Sequence, residues 1–494
     1  MELADTTTLG NVDSTRRSVA SGISRQRKSE LGQFMTPSSV AGFMATLFKS
    51  SVLTACRVLD AGAGVGSLSA AFLDRWGESF QRIDSTAFEI DDALRPHLIK
   101  SLEVYSKRFR VALHIEAGDF IEQAVNRLQF SREPGFTHAI LNPPYKKIGA
   151  GSRHRLLLRE VGIETVNLYT AFVALTLELM APGGQVVAII PRSFCNGPYY
   201  RPFREFMLRR SAIRQMHLFD SRNQAFKEEQ VLQENIIIAL ECGAVQGQVM
   251  VSTSTDDTFG DYAASIHPFE RIVFPTDAER FIHVPTSTHH SSIERSRSIR
   301  HTLKEIGVTV STGPVVDFRL RRHLRGLAGP GTVPLLYPGH FSGPSIEWPK
   351  VGFKKANAIA RNDETERWLY PSGFYAVVRR FSSKEERRRI VASVVDPRGF
   401  SDADVLGFEN HLNVFHEARR GLPEDLAHGL ALFLNGTAVD EHFRRFSGHT
   451  QVNATDLRAM KFPSRAQLIA LGKWAKGQAE LTQEAIDERL TKLE

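Results

Sequence analysis

The sequence predicts an α/β protein: a mostly parallel, Rossmann-like sheet with helices on both faces, followed by a C-terminal domain of mixed α+β type. Three observations predict it. Short β-rich runs alternate with helical patterns from residue 26 to about 245. One of these runs, Arg57–Asp60, leads directly into a glycine-rich turn and a helix. The alternation stops near residue 300, where Gly-Pro turns, scattered aromatics and arginine clusters take over.

Composition sets the outer limits. A chain of 494 residues is long for one compact domain and predicts two or three. Hydrophobic residues at 42% and charged residues at 24% are ordinary for a globular chain, which excludes a mainly disordered or fibrous one. Lysine and arginine outnumber aspartate and glutamate 62 to 55, and the net charge of +7 permits a polyanionic partner without requiring one. Cys56, Cys195 and Cys242 are odd in number and far apart, so they read as reduced, buried thiols rather than a disulfide framework or zinc knuckle. The first twenty residues lack the apolar core of a secretory signal, and the longest apolar runs, Val186–Ile190 and Ile236–Leu240, are only strand-length. A cytoplasmic protein with no membrane span is expected.

Taken in order, residues 1–25 read as a flexible polar tail. Residues 26–245 form the first domain, with strands expected at Arg57–Asp60, Thr86–Ile90, Ala112–Ile115, His138–Leu141, Gln185–Ile190 and Ile213–Leu218. Residues 246–300, polar and irregular and containing His289-His290, read as a connector with room for a strand or two. Residues 301–494 form the second domain, ending in helix from Ser464 to Glu494. No metal site is expected, because the histidine pair in a polar connector is the bland feature it looks like.

The glycine turn is Asp60-Ala61-Gly62-Ala63-Gly64-Val65-Gly66-Ser67. Its glycines allow a tight bend and close approach of backbone to a ligand. A dinucleotide fingerprint needs its third glycine where Ser67 stands, and a phosphate loop needs Gly-Lys-Ser/Thr. The G-x-G-x-G spacing after a strand-terminal aspartate suits S-adenosylmethionine, which carries no phosphate. Glu89 closes the next strand, beside Ile90, where a carboxylate can accept both ribose hydroxyl hydrogens. Asp119 ends the third strand region, where it can accept from an adenine amino group, with Phe120 to pack on the purine. Either acid alone is as well explained as a solvated loop residue or a helix N-cap. Together they occupy successive strand ends, where an open α/β sheet binds its ligand.

An apolar strand then runs into Asn142-Pro143-Pro144-Tyr145. Consecutive prolines fix the backbone and remove two donors. The Asn142 carboxamide oxygen and the Pro143 carbonyl remain as acceptors for the two hydrogens of a planar amino group, and Tyr145 offers a stacking surface. The nitrogen lone pair, freed as the group moves toward sp3 geometry, can attack a sulfonium methyl in line. An isolated Asn-Pro-Pro is equally an Asx-type turn. Its position three strand–helix units after the glycine loop favours chemistry.

In this order the motifs resemble those of amino-group DNA methyltransferases, specifically the TaqI-like gamma class of N6-adenine enzymes. Leu31-Gly32-Gln33-Phe34-Met35-Thr36-Pro37 is similar to the family's N-terminal cofactor motif, which implies that Phe34, Thr36 and Pro37 line the methionine end. The resemblance implies S-adenosylmethionine held by these residues with Asp60, Ala61, Gly62, Gly64, Gly66, Glu89, Ile90, Asp119, Phe120 and Asn142. Leu168–Phe172 resembles the helix after the catalytic loop, and Phe226 stands where the family has an aromatic that contacts the extruded base. Residues 26–245 are thereby expected to be the methyltransferase domain and residues 301–494 the target-recognition domain. Ser311–Arg319 and Ser447–Leu457 resemble segments of PstI/BsuBI-type modification enzymes, which implies a restriction–modification setting with an endonuclease acting separately. About thirty residues precede the Gly-Gln-Phe motif, too few for a fused nuclease.

The resemblance implies a site-specific enzyme that acts on double-stranded DNA as a monomer and flips adenine out of the duplex at about a few kcal/mol. Arginine binds phosphates and reads guanine, while asparagine and glutamine read adenine. The candidates in the second domain are Arg319, Arg321, Arg379, Arg380, Asn410, His411, Gln451 and Asn453; Arg387–Arg389 beside Glu385-Glu386 read as a charged helix face. The same Asn-Pro-Pro-Tyr chemistry also serves an RNA adenine or a protein glutamine, and the catalytic half cannot decide between these.

Overall fold

The computed structural model describes residues 6–493 except 23–26, 28–33, 51–52, 220–233, 276, 286–292, 294–295, 343–344, 383–385, 401–402, 447–450 and 479. It divides into two compact units, Met1–Thr288 and His289–Glu494.

The first unit is built on β1 (Ala55–Ala61), β2 (Arg82–Glu89), β3 (Val111–Ala117), β4 (Phe136–Leu141), β5 (Met180–Pro191), β6 (Ser211–Phe219), β7 (Asn235–Cys242), β8 (Val249–Ser254) and β9 (Ala263–His267). Among the described residues they form one sheet in the order β3-β2-β1-β4-β5-β7-β6-β8-β9. Strands β1 to β5 pair in parallel, and β7 lies antiparallel between β5 and β6. The chain winds outward from β1 through β2 to β3, then restarts at β4 on the other side. This reversal opens a crevice at the carboxyl ends of β1 and β4.

Alternation along each strand feeds two apolar layers. Leu59, Ala139, Leu141, Val186 and Ala188 pack with the helices α5 (Phe120–Phe130) and α7 (Leu168–Leu179). Their neighbours Val58, Ile140, Val187 and Ile189 pack with α2 (Ser38–Thr46), α3 (Ser67–Trp76) and α4 (Arg95–Arg108). Two further helices, α6 (Arg153–Glu160) and α8 (Arg201–Arg210), follow the loops after β4 and β5. Cys56, Cys195 and Cys242 are free and buried, and burial pushes each thiol up to about 12.

Two expectations need correction here. The polar tail is largely helix: α1 spans Thr6–Gly22 and buries Val12, Asp13 and Arg16. Its polar composition hides an internal ion pair, Arg16 Nε to Asp13 Oδ1 at 2.8 Å, and the same oxygen accepts the Ser38 N–H at 3.2 Å. The segment 246–300, expected as a connector with room for a strand or two, is up to Thr288 part of the first unit. It supplies β8 and β9, and Ile272, Val273, Ile282 and Val284 are buried in the core of the first unit. His289 and His290 lie outside the described residues.

The second unit carries a sheet of four short strands in the order Thr309–Thr312, Leu412–His416, Tyr375–Arg379, Ala392–Val395. A mixed sheet, Leu324–Arg325, Ala358–Ala360, Thr332–Leu336, Val405–Phe408 and Leu369–Pro371, follows the same unit's chain. The helix Glu424–Leu434 packs on Arg465–Lys476. The predicted terminal helix is two, Arg465–Lys476 and Gln483–Thr491, separated at Gly477.

Candidate active site and polar face of the second unit

A cavity of about 220 Å³ opens at the carboxyl ends of β1 to β4. Of the predicted cofactor residues, Phe34, Thr36, Gly62, Gly64, Glu89, Ile90, Asp119, Phe120 and Asn142 line it. Pro144 lines it as well. Asp60, Ala61, Gly66 and Pro37 do not line it. Gly62, Gly64 and Gly66 all hold positive φ, at 83°, 59° and 89°. A Cβ on Gly66 would stand 2.9 Å from Leu98 of α4, so that glycine permits helix packing, whereas one on Gly64 would meet nothing within 4 Å. Pro37 precedes α2, and Asp60 lies beneath the turn. Oδ2 of Asp60 accepts the Ser69 N–H at 3.2 Å and its hydroxyl at 2.7 Å, fastening β1 to α3. Burial pushes the Asp60 carboxyl up to about 7.

The two lining acids are held differently. Glu89 is buried, and its oxygens accept the N–H groups of Gly64 and Asp91, each at 2.7 Å. It therefore sets the shape of the glycine turn from the neighbouring strand. Burial raises its pKa, against those two bonds. Asp119 does cap α5: Oδ1 accepts from Ile121 N–H at 2.8 Å and Glu122 N–H at 3.2 Å. Oδ2 lies 2.8 Å from Nε2 of His154. Burial works to raise the Asp119 pKa, but the His154 bond and the backbone donors outweigh it and bring it below the usual carboxylate range. Asp119 is thus both an N-cap and a wall of the cavity.

Asn142 follows the last residue of β4. Its Nδ2 donates to the Phe34 carbonyl at 2.7 Å and to Thr36 Oγ1 at 3.0 Å, so the carboxamide ties the N-terminal segment to the strand end. Its Oδ1 accepts the Tyr145 hydroxyl at 3.1 Å and retains a second lone pair. Tyr145 is not a cavity-lining platform. Its ring packs against Phe34 (5.5 Å between centroids) and Tyr169 (6.2 Å), and burial raises its pKa. Pro143 is buried. The loop beyond is pinned by Ile148 N–H to the Val166 carbonyl and Leu168 N–H to the Lys146 carbonyl, both at 2.8 Å. Phe226 lies outside the described residues.

Sequence reasoning missed part of the wall. Met35, Val65 and Leu94 line the cavity and pack with Val19 and Ala20 of α1. Lys146, His154 and Phe172 line it too. Met35, Val65 and Phe172 lie within the quoted motifs, whereas Leu94, Lys146 and His154 arrive from separate segments that no motif marks.

In the second unit four segments meet. The Arg380 guanidinium donates to the Asn410 carbonyl at 3.2 Å and to Gln451 Oε1 at 3.1 Å, and its N–H donates to the His411 carbonyl at 2.8 Å. Nδ1 of His411 lies 2.6 Å from Oε1 of the fully buried Glu409, and its ring packs on exposed Phe381. Asn410 N–H donates to the Val315 carbonyl at 2.9 Å, which brings alongside the segment bearing exposed Phe318, Arg319 and Arg321. Arg380, Asn410, His411 and Gln451 are therefore one cluster. Arg379 is drawn off to Glu386. Asn453 is also separate: its backbone and side-chain N–H groups donate to Asp456 Oδ2 at 3.1 and 3.3 Å at the start of a helix. Arg387–Arg389 form no helix face. Arg389 is buried, with its N–H on Asp440 Oδ1 at 2.7 Å and its Nε on Ser382 Oγ at 3.0 Å.

The residues around the cavity fit a phosphate-free nucleoside. Two carboxylates in one wall would repel a pyrophosphate but can accept hydroxyl and amino hydrogens, and the open face at Gly64 leaves the backbone accessible. This sheet order, with its glycine turn, paired acids and Asn-Pro-Pro-Tyr, defines an S-adenosylmethionine-dependent methyltransferase. A family model for the Eco57I restriction-modification methylase matches residues 47–226. The chain is 53% identical over 476 residues to the Type II methyltransferase M.BsuBI of Bacillus subtilis, covering 95% of each. It is 43% identical to the Type II methyltransferase M.PstI of Providencia stuartii, covering 92% of each. A DrdV–DNA complex shares the fold, at TM-score 0.54 and 13% identity over 96% of this chain and 60% of that one. The chain belongs to the Type II methyltransferases of restriction–modification systems and is a DNA methyltransferase. No helix among the described residues is long and apolar enough to cross a membrane.

Proposed function

We propose that this DNA methyltransferase transfers the methyl group of S-adenosylmethionine to N6 of an adenine extruded from duplex DNA. The carrying observation is that Asn142 and Pro144 share one cavity with the glycine turn, Glu89 and Asp119. Acceptor and methyl-donor pocket are thus parts of a single wall.

Bound S-adenosylmethionine supplies an electrophilic methyl on a sulfonium. Phe34, Thr36 and the Gly62–Gly64 backbone would hold it, with Glu89 available to its ribose hydroxyls and Asp119 to its adenine amino group. The Asn142 Oδ1 and the Pro143 carbonyl accept the two hydrogens of the target amino group. Tyr145, donating to Oδ1, fixes the carboxamide's orientation, and the Nδ2 bonds to Phe34 and Thr36 decide which end of the amide faces the base. As the N–C bond forms and the S–C bond breaks, positive charge develops on nitrogen, and the two oxygens stabilise it. One amino proton then leaves to solvent, and the sulfide remains as S-adenosylhomocysteine.

The cluster of Arg380, Asn410, His411 and Gln451, flanked by Arg319 and Arg321, supports a DNA-contacting role for the second unit. Arg379 and Asn453, already bound to carboxylates, have smaller parts in it. Phe226 keeps its proposed contact with the extruded base. A monomer in the cytoplasm, with a separate endonuclease, completes the reading.

Incubating the protein with labelled donor and duplex DNA, then digesting to nucleosides, places the label in N6-methyladenine. Label in cytosine, or transfer to RNA or protein in preference to DNA, overturns the proposal.

A further inference from the structure

His154 is one of the polar side chains in the cavity wall that take no part in the transfer just described. His154 stands in the first turn of α6, two residues beyond the capping Ser152. Its Nε2 is 2.8 Å from Asp119 Oδ2, while the other oxygen of Asp119 is occupied by the Ile121 and Glu122 N–H groups. The carboxylate assigned to the cofactor's adenine is therefore engaged at both ends before any ligand arrives. An adenine amino group must share Oδ2 with the imidazole or take it over.

The charged surroundings favour the protonated imidazole. Asp119 and Glu122 face it from the α5 side, Arg153 from its own helix, and Lys146 lines the same cavity. Arg153 is itself paired with Glu122 at 3.0 Å. The Asp119 bond raises the His154 pKa above its ordinary value, with burial opposing and the Asp119 and Glu122 charges adding. Because α6 begins where the catalytic loop ends, the same contact joins that loop to the adenine end of the pocket.

We propose that His154 is a positioning residue of the adenine subsite, one that fixes Oδ2 of Asp119 in the free protein and gives up a proton to solvent when the cofactor's amino group takes that oxygen. The inference rests on the assignment of Asp119 to the adenine. Its sign follows from competition: a charged imidazole holds Oδ2 more strongly than a neutral one. Cofactor affinity should therefore rise with pH through the window in which His154 titrates, which lies above the usual histidine value.

Calorimetric titration of the full chain with S-adenosylhomocysteine, from pH 6 to 8 in buffers of different ionisation enthalpy, tests it. Where His154 titrates, the native chain should release up to about one proton on binding, with affinity rising by at most about tenfold per pH unit. His154→Gln keeps an N–H donor but has no proton to lose, so its affinity should be flat with pH and its heat independent of buffer. Unchanged proton release in that variant, or none in the native chain, overturns the inference. Asp119→Asn separates the two layers. Weakened binding at every pH supports the underlying assignment, and native affinity in that variant removes the assignment itself.

Discussion

In the first unit, Glu89, Asp119 and Asn142 sit within a residue or two of a strand end, and bonds to backbone groups fix them there. Glu89 holds the glycine turn from the next strand, Asp119 caps its own helix, and Asn142 ties two segments together. In the second unit the comparable cluster is assembled from residues 315–321, 380–381, 409–411 and 451, and backbone and side-chain bonds together join these four separate segments. The proposed function places catalysis in a few contiguous motifs of the first unit and spreads DNA contact over many residues of the second. Mutational effects should differ accordingly, in size and in kind.

The largest effect is expected at Asn142. Asn142→Ala should lower the single-turnover methylation rate by about 10²–10³-fold, the range for removing one preorganised charge-stabilising contact. The structure adds a cost that the motif alone does not: Nδ2 also holds Phe34 and Thr36, two lining residues. Affinity for S-adenosylhomocysteine should fall as well, by about 5–10-fold for two ordinary hydrogen bonds. Retention of rapid turnover would show that the amino group is not presented by this carboxamide.

Glu89→Gln comes next. An amide keeps the shape but sets a donor against one of two backbone N–H groups, in a buried site. Cofactor affinity should fall about 10–100-fold, equivalent to about 1.5–3 kcal/mol for a disrupted charged bond, while the rate at saturating cofactor changes little. Binding within twofold of native would mean that the turn holds its shape without Glu89.

In the second unit, Arg319→Ala and Arg321→Ala should each weaken duplex binding only several-fold. The diagnostic is the salt dependence: each variant should reduce the slope of log affinity against log salt by about 1. Cofactor affinity should not move. An unchanged slope in both variants would take this face off the DNA.

The same contrast explains what the sequence could reveal. Strand-terminal motifs are contiguous, so Gly62–Gly66, Glu89, Asp119 and Asn142–Tyr145 are readable in order, and the parallel sheet follows from the alternation of β-rich runs with helical patterns. What a motif does not reveal is which of its residues face inward. Asp60 and Gly66 belong to the glycine turn, yet one fastens a helix and the other makes room for Leu98. His154 could not be found, because its meaning comes from Asp119, which precedes it by thirty-five residues. In the second unit, composition alone cannot separate Arg380, which organises a cluster, from Arg389, which is buried with Asp440 and Ser382.

The smallest effect concerns α1, where polar composition concealed a packed helix. Asp13 is buried, and its carboxylate binds Arg16, Arg17 and the Ser38 N–H. Burial works to raise its pKa, but these partners together bring it below 3.8. A carboxylate with a depressed folded pKa adds stability that is present above its unfolded value and lost as pH falls through the folded one. Asp13→Asn should therefore cost about 1–3 kcal/mol at pH 7, and the difference from native should shrink as pH drops below about 4. Thermal melts at pH 7, 5 and 3.5 would follow it, and a gap independent of pH would assign the loss to packing rather than charge. The consequence reaches the active site. Val19 and Ala20, further along the same helix, pack on Met35, Val65 and Leu94 in the cavity wall. A loosened α1 should thus also weaken cofactor binding, about twofold if the helix frays only part of the time, whereas Arg319→Ala in the other unit should leave it untouched.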